Sequence, residues 1–208
     1  MSVSRERAIP PEPGAPDTPV ARPVGRRLPR AERRDQILVA ATRAFARTGF
    51  AATSLDDIAA EAGISRVILY RHFESKTDLY RAVLDRVGAR LTAAVGTRDY
   101  TLASVDALIG AAADDPDGFR LLFRHAAREP EFRQETDHLH ATSVAVAQRE
   151  LAKEIPDPAW RTWAAHLAPA VTIEAVMAWL DAGQPDRNDV AARISQAIGG
   201  VIHAAKPR

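Results

Sequence analysis

The chain has 208 residues with 28 Lys/Arg against 27 Asp/Glu, which is room for one mid-sized domain or for a small domain joined to a larger one. It has no Cys, so disulfides, thiolate nucleophiles and cysteine-bound metals are excluded and a cytoplasmic home is expected. Ala is abundant and the β-branched and aromatic runs that strands favour are few, which predicts an all-α fold; the balanced charge also hides a split, with 13 Lys/Arg against 9 Asp/Glu in residues 1–76 and 15 against 18 in residues 77–208.

Residues 1–29 are rich in Pro, with Arg22, Arg26 and Arg27 near their end. Such a stretch buries too little apolar surface to order itself, so a flexible tail is expected. It lacks the apolar core of a secretory signal. Two readings of "GRRLPR" stand side by side: a solvated tail, and a basic arm that reaches a phosphate backbone or a minor groove.

From residue 30 onward Ile37, Leu38, Ala41 and Phe45 recur at helical spacing until Gly49, which predicts a first helix over 30–48. Ser54, with Asp57 three residues on, forms a capping box that opens a second helix with Leu55, Ile58, Ala59 and Ala62 inward, and Gly63 stops it. Ser65 is placed to cap a third helix, whose Leu69 and Phe73 join Ile64 in the same small core. Ser75 and Asp78 repeat the capping pattern and open a fourth helix running to about Val95. Three short helices with a tight Gly turn between the second and third make a helix-turn-helix.

Five more helices are expected at about 101–113, 117–127, 130–154, 158–182 and 187–205, about nine in all. Pro116, Pro130 and Pro158 fall in their first turns, where a missing N–H does no harm. The most apolar stretch, Leu167 to Leu180, is interrupted by Pro169 and Glu174, so no membrane span is expected. The chain thus divides into a tail (1–29), a helix-turn-helix domain (30–76) and a larger helical domain (77–208).

The segments "RRDQILVAATRAFARTGFAATSLDDIAAEAGIS" and "LYRHFESKTDLYRAVL" cover residues 33–84 almost continuously. In order and spacing they resemble the TetR family of bacterial transcriptional regulators: Phe45 with Gly49, Thr53, the "DDIAAEAGIS" turn, "LYRHF", then "SK" opening the next helix. Beyond residue 84 the likeness is one of architecture, with a matching helix count. Val67 and Ile68 depart from the small residue and hydroxyl residue usual in the family's recognition helix. An apolar side chain there either touches a thymine methyl or packs inward.

The resemblance and the helix geometry together imply a DNA-binding set. Arg66 is the first candidate for a base edge, since a guanidinium matches guanine bidentately. Ser65, Val67 and Arg71 share its helix. Tyr70 and His72 match family positions that meet phosphates, and Lys76, at a helix N-terminus beside free N–H groups, suits an anion. Thr53 and Ser54 stand at the start of the second helix, where capping and phosphate contact coexist.

Reading two half-sites requires a two-fold dimer. The interface expected for it uses Val171 on an eighth helix that is apolar nearly all round, and the stripe Val190, Ile194, Ile198 and Val201 on the ninth, where Gly199 and Gly200 permit close approach. A regulatory small molecule is expected in the larger domain, walled by Phe119, Leu122, Phe123, Phe132, Trp163, Met177 and Trp179, with His125, His140 and His166 adding polar contacts.

His138 and His140, two apart on a helix, face different ways and make a poor metal pair. No paired-carboxylate, Ser/His/Asp or Gly-rich phosphate pattern rises above background, so neither enzyme activity, nor a cofactor, nor a metal is expected. The leading expectation is a dimeric repressor that binds double-stranded operator DNA and is released by a small-molecule effector. The alternative is a helical dimeric sensor without specific DNA binding, motivated by Val67 and Ile68.

Overall fold

The computed structural model describes residues 28–207, and these form nine α-helices with no strand among them. The readings of the tail, including Arg22, Arg26 and Arg27, lie outside the described residues.

Helices α1 (Arg30–Ala52), α2 (Leu55–Glu61), α3 (Arg66–Tyr70) and α4 (Lys76–Val95) come first. Gly49 leaves helical geometry at φ +79° and one further turn carries α1 to Ala52. The capping box of α2 forms in both directions: Ser54 Oγ accepts from the Asp57 N–H at 3.1 Å and the Ser54 N–H donates to Asp57 Oδ2 at 3.0 Å. Gly63 takes φ +63°, and the Ile64 N–H returns to the Ala59 carbonyl at 3.0 Å, closing α2 and turning the chain into α3.

Ser65 departs from expectation. Its hydroxyl makes no capping bond; its carbonyl accepts from the Ile68 and Leu69 N–H groups, so the hydroxyl is left free at the surface. Ser75 does cap α4, accepting from the Asp78 N–H at 3.0 Å.

Ile37, Leu38, Ala41 and Phe45 of α1 pack on Ile58, Leu69, Phe73 and the first turns of α4. At the centre Tyr80 meets Phe45 edge-on, ring centroids 4.8 Å apart, and Phe132 at 4.4 Å. Each such ring removes apolar surface worth roughly 1.5–3 kcal/mol from water. This core runs on into Leu121, Leu122, Ala126 and Phe132. The boundary expected after residue 76 therefore marks a change of role within continuous packing.

The remaining helices are α5 (Leu102–Asp114), α6 (Pro116–Arg120), α7 (Arg133–Leu151), α8 (Pro158–Asp181) and α9 (Arg187–Ala205). The single helix expected over 117–127 is divided: α6 passes into a π turn at Leu121–His125 and a 3₁₀ turn at Ala126–Arg128. The wider turn changes the facing of successive residues. Leu121, Leu122 and Ala126 thereby reach the first core while Phe119 joins a second one. Helix α7 is shorter than the expected 130–154, because Pro130–Phe132 is a 3₁₀ turn and the chain turns after Leu151 to bury Ile155.

The second core joins Leu108 and Ile109 of α5 to Phe119, Val176, Met177, Trp179, Leu180, Val190 and Ile194. Helix α8 is long and apolar enough by composition to cross a membrane. Here it packs on α9 and α7, burying Ala164, Ala165, Ala168, Val176 and Met177.

The apolar stripe of α9 also differs from expectation. Val190 and Ile194 are buried in their own chain's second core, Ile198 packs at its edge, and Val201 packs on the third core around Ile155 and Ala164. Val171 on α8 is half-buried. The stripe closes its own domain because α5 and α8 cover it, so Val190 and Ile194 have no surface to offer a partner. The open side of α9 carries Ala197, Gly200 and Ala204, and α8 exposes Trp160 and Trp163 as an edge-on pair 5.8 Å apart.

Candidate nucleic-acid interface and effector cavity

Helix α3 is anchored from below. Leu69 and Phe73 are fully buried, so the other side of one short helix must face outward. Arg66, Val67, Tyr70 and Arg71 are all exposed there, with Val67 at 63% and Tyr70 at 46%. Arg66 is pre-set: its guanidinium donates to Asp56 Oδ2 at 3.0 Å and Tyr70 Oη at 3.2 Å, and lies 5.5 Å from the centre of the Tyr70 ring. An ion pair as exposed as Arg66–Asp56 is worth about 0–1 kcal/mol and yields readily to a nucleobase or a phosphate. The departure at Val67 and Ile68 resolves into two fates, Val67 outward and Ile68 half-buried.

Two of the expected phosphate contacts are otherwise engaged. Thr53 is buried, and its hydroxyl lies 2.7 Å from both the Gly49 carbonyl and Thr48 Oγ1, so the side chain closes the end of α1. Lys76 turns its ammonium inward to the carbonyls of Phe50 at 2.9 Å, Thr53 at 3.1 Å and Ala51 at 3.3 Å. All three N–H donors are thus spent on the end of α1. Ser54 is exposed but is held by Asp57, its Oγ 2.6 Å from Oδ2.

Sequence reasoning missed a basic group beside α3. Arg34 donates to the His72 carbonyl at 3.0 Å, and burial together with Arg30, Arg34 and Arg33 holds the His72 imidazole below its ordinary value. The signal was present: three Arg in the first turns of α1 lie where the helix dipole disfavours cations. That placement makes sense when an outside anion supplies the balancing charge.

A cavity of about 620 Å³ lies between the end of α4, α5, the π turn, α7, α8 and α9. Leu91, Thr92 and Val95 of α4 form one wall. Of the expected lining residues, Leu122, Phe123 and His140 reach it. The others are elsewhere for a packing reason. Phe119, Met177 and Trp179 fill the second core and Phe132 the first; Trp163 is on the outer face of α8. His166 stands 5.8 Å from His140, ring to ring, but does not line the cavity, and His125 is turned to the Ala46 carbonyl of α1. Ile198 and Ile202, assigned to a dimer stripe by their spacing, are cavity wall.

Residues 37–83 match the family described as "Bacterial regulatory proteins, tetR family". Over 204 residues the chain is 32% identical to the HTH-type transcriptional activator FasR of Mycolicibacterium smegmatis, covering 88% of this chain and 90% of that protein. The chain belongs to the TetR family. It is a DNA-binding transcriptional regulator of the helix-turn-helix type. An HTH-type transcriptional repressor of Mycobacterium tuberculosis is 50% identical over 56 residues, 27% of this chain and 30% of that one. The TetR fold extends along the described residues: a TetR-like regulator from Rhodococcus sp. RHA1 superposes with a TM-score of 0.67 at 23% identity, covering 83% of this chain and 96% of its own.

Proposed function

We propose that this TetR-family regulator acts in the cytoplasm as a homodimeric repressor, and that a small molecule in the cavity releases it from its operator. The observation that carries this reading is the run of α4. The helix begins at Lys76, tied to the end of α1 beside the helix-turn-helix, and ends at Thr92 and Val95 in the cavity wall. A ligand that wedges the cavity moves one end of a rigid element whose other end sets the position of α3. Its effect is limited to its differential affinity for the two arrangements.

Two copies of α3 reach successive major-groove faces when about 34 Å or a multiple apart. The open side of α9, with Ala197, Gly200 and Ala204, and the outer face of α8 are the surfaces that suit a second copy. Arg66 and Arg71 read bases, while Tyr70, His72 and the α1 arginines meet phosphate. Activation is the second reading, favoured by the name of FasR.

Mobility shift on DNA flanking the protein's own gene, with competitor DNA, tests the core of the proposal. Specific binding by wild type and its loss in Gly200→Arg, together with a monomer by sedimentation, is the expected result. Specific binding by a monomeric wild type overturns the dimer. A reporter carrying that DNA decides the sign.

A further inference from the structure

The geometry points to a lipophilic cation as the occupant of the cavity, a molecule with an apolar body and an ammonium group. The inference rests on the cavity being the effector site, and it concerns the charge that the site selects.

Most of the wall is aliphatic, which sets the body of the ligand. The polar part of the wall has one sign. Asp137 and Glu150 of α7 and Glu174 of α8 line the cavity, and no Lys or Arg does. Among the described residues none of these three carboxylates takes part in an ion pair. The nearby guanidinium groups are engaged: Arg124, which feels the charge of Glu174, is bound to Asp181 at 2.6 Å, and Arg149 donates to the Arg98 carbonyl at 3.4 Å.

The hydroxyl groups point to the same conclusion. Thr136, Thr142, Thr172 and Ser195 each give their proton to a carbonyl of their own helix, at 2.9, 2.9, 2.8 and 2.7 Å. A hydroxyl with its hydrogen committed offers a ligand only lone pairs. Carboxylates and committed hydroxyls together make a wall of acceptors. An anionic head group would enter it without a counter-charge, an unfavourable desolvation, whereas an ammonium brings the donors and the charge that the wall lacks.

Isothermal titration of the full chain at pH 7 with dodecylamine, dodecanol and dodecanoate, each below its micelle concentration, reads the selectivity directly because the three share one chain length. Dodecylamine is expected to bind at least about tenfold more tightly than dodecanoate, with dodecanol between. Glu174→Gln combined with Asp137→Asn should narrow the gap between amine and carboxylate at least about threefold while leaving dodecanol unchanged. The cavity-filling Ile173→Trp should weaken all three.

Equal or tighter binding of dodecanoate, lost in Ile173→Trp, overturns the charge assignment alone. Binding of no probe, or binding that Ile173→Trp leaves intact, overturns the cavity as the site and the inference with it.

Discussion

The Lys76 ammonium lies 2.9 Å from the Phe50 carbonyl and 4.5 Å above the Phe50 ring, so one side chain fastens the start of α4 to the end of α1. Two further carbonyls, of Ala51 and Thr53, complete its set of acceptors. These are the orphan carbonyls of a helix end, which need donors.

Lys76→Ala should therefore act on stability before it acts on DNA. Leaving partly buried carbonyls without their charged donor costs about 1–3 kcal/mol, measured as a lower urea midpoint with unchanged slope. Lys76→Gln should recover part of the loss. If Lys76→Ala keeps wild-type stability and weakens binding to all DNA sequences alike, the ammonium leaves α1 and meets phosphate.

Arg66 and Arg71 separate by role. If Arg66 reads a base edge, Arg66→Ala should cost about 1–3 kcal/mol on the operator and relax preference at one position of each half-site, with a smaller loss on unrelated DNA. Arg34→Ala, near the His72 carbonyl, should weaken all sequences alike and lower the salt slope by about one counterion per subunit. Unchanged operator affinity in Arg66→Ala, with loss in Arg71→Ala, moves base reading to Arg71. Circular dichroism must first show each variant folded.

The helices and caps were legible in the sequence because they rest on local chemistry. Ser54 with Asp57, Gly63, and Ser75 with Asp78 each act within a turn of themselves, and the structure forms each device. What the sequence concealed was the direction of side chains whose partners are distant in the chain. Lys76 looked like a free cation because the carbonyls that hold it lie 23 to 26 residues away. Val190 and Ile194 formed an apolar stripe whose spacing is the same whether the covering helix belongs to this chain or to another. The π turn at Leu121–His125 has no spacing signature, so Phe119 and Phe123 looked equivalent as lining and only Phe123 reaches the cavity.

Tyr80 holds its hydroxyl without a partner inside the aromatic cluster, and burial, aided by the charge of Glu129, pushes its ionisation well above the ordinary tyrosine range. Keeping the ring and removing the oxygen relieves an unmet desolvation penalty. Tyr80→Phe should therefore raise stability by about 1 kcal/mol, or at least leave it unchanged, in chemical denaturation. A drop of similar size would mean that the hydroxyl has a partner, and the packing of Phe132 over it would need revision.

His125 and His72 set the response to mild acid. Burial first, then Arg124 and Arg128, holds His125 below its ordinary value, against the opposing pull of Glu129 and the Ala46 carbonyl; burial and the α1 arginines do the same for His72. A base whose folded value is depressed binds fewer protons folded than unfolded, so stability is full above the unfolded value near 6.5 and is lost as pH falls through it. The melting temperature should accordingly decline between pH 7.5 and 5.5. The carboxylates held low, Asp57 and Asp181, lie outside this window because their ordinary value is 3.8 and their effect appears below it. His125→Gln, which keeps a donor for the Ala46 carbonyl, should flatten the decline, and His72→Gln should flatten it further. DNA should reverse the sign for His72: phosphate beside the imidazole offsets Arg30 and Arg34, so operator affinity should rise as pH is lowered from 7.5 to 6.5 in wild type and stay level in His72→Gln. A wild-type melting temperature that is flat across the window would show both imidazoles unshifted, and a pH-independent operator affinity would place His72 away from phosphate.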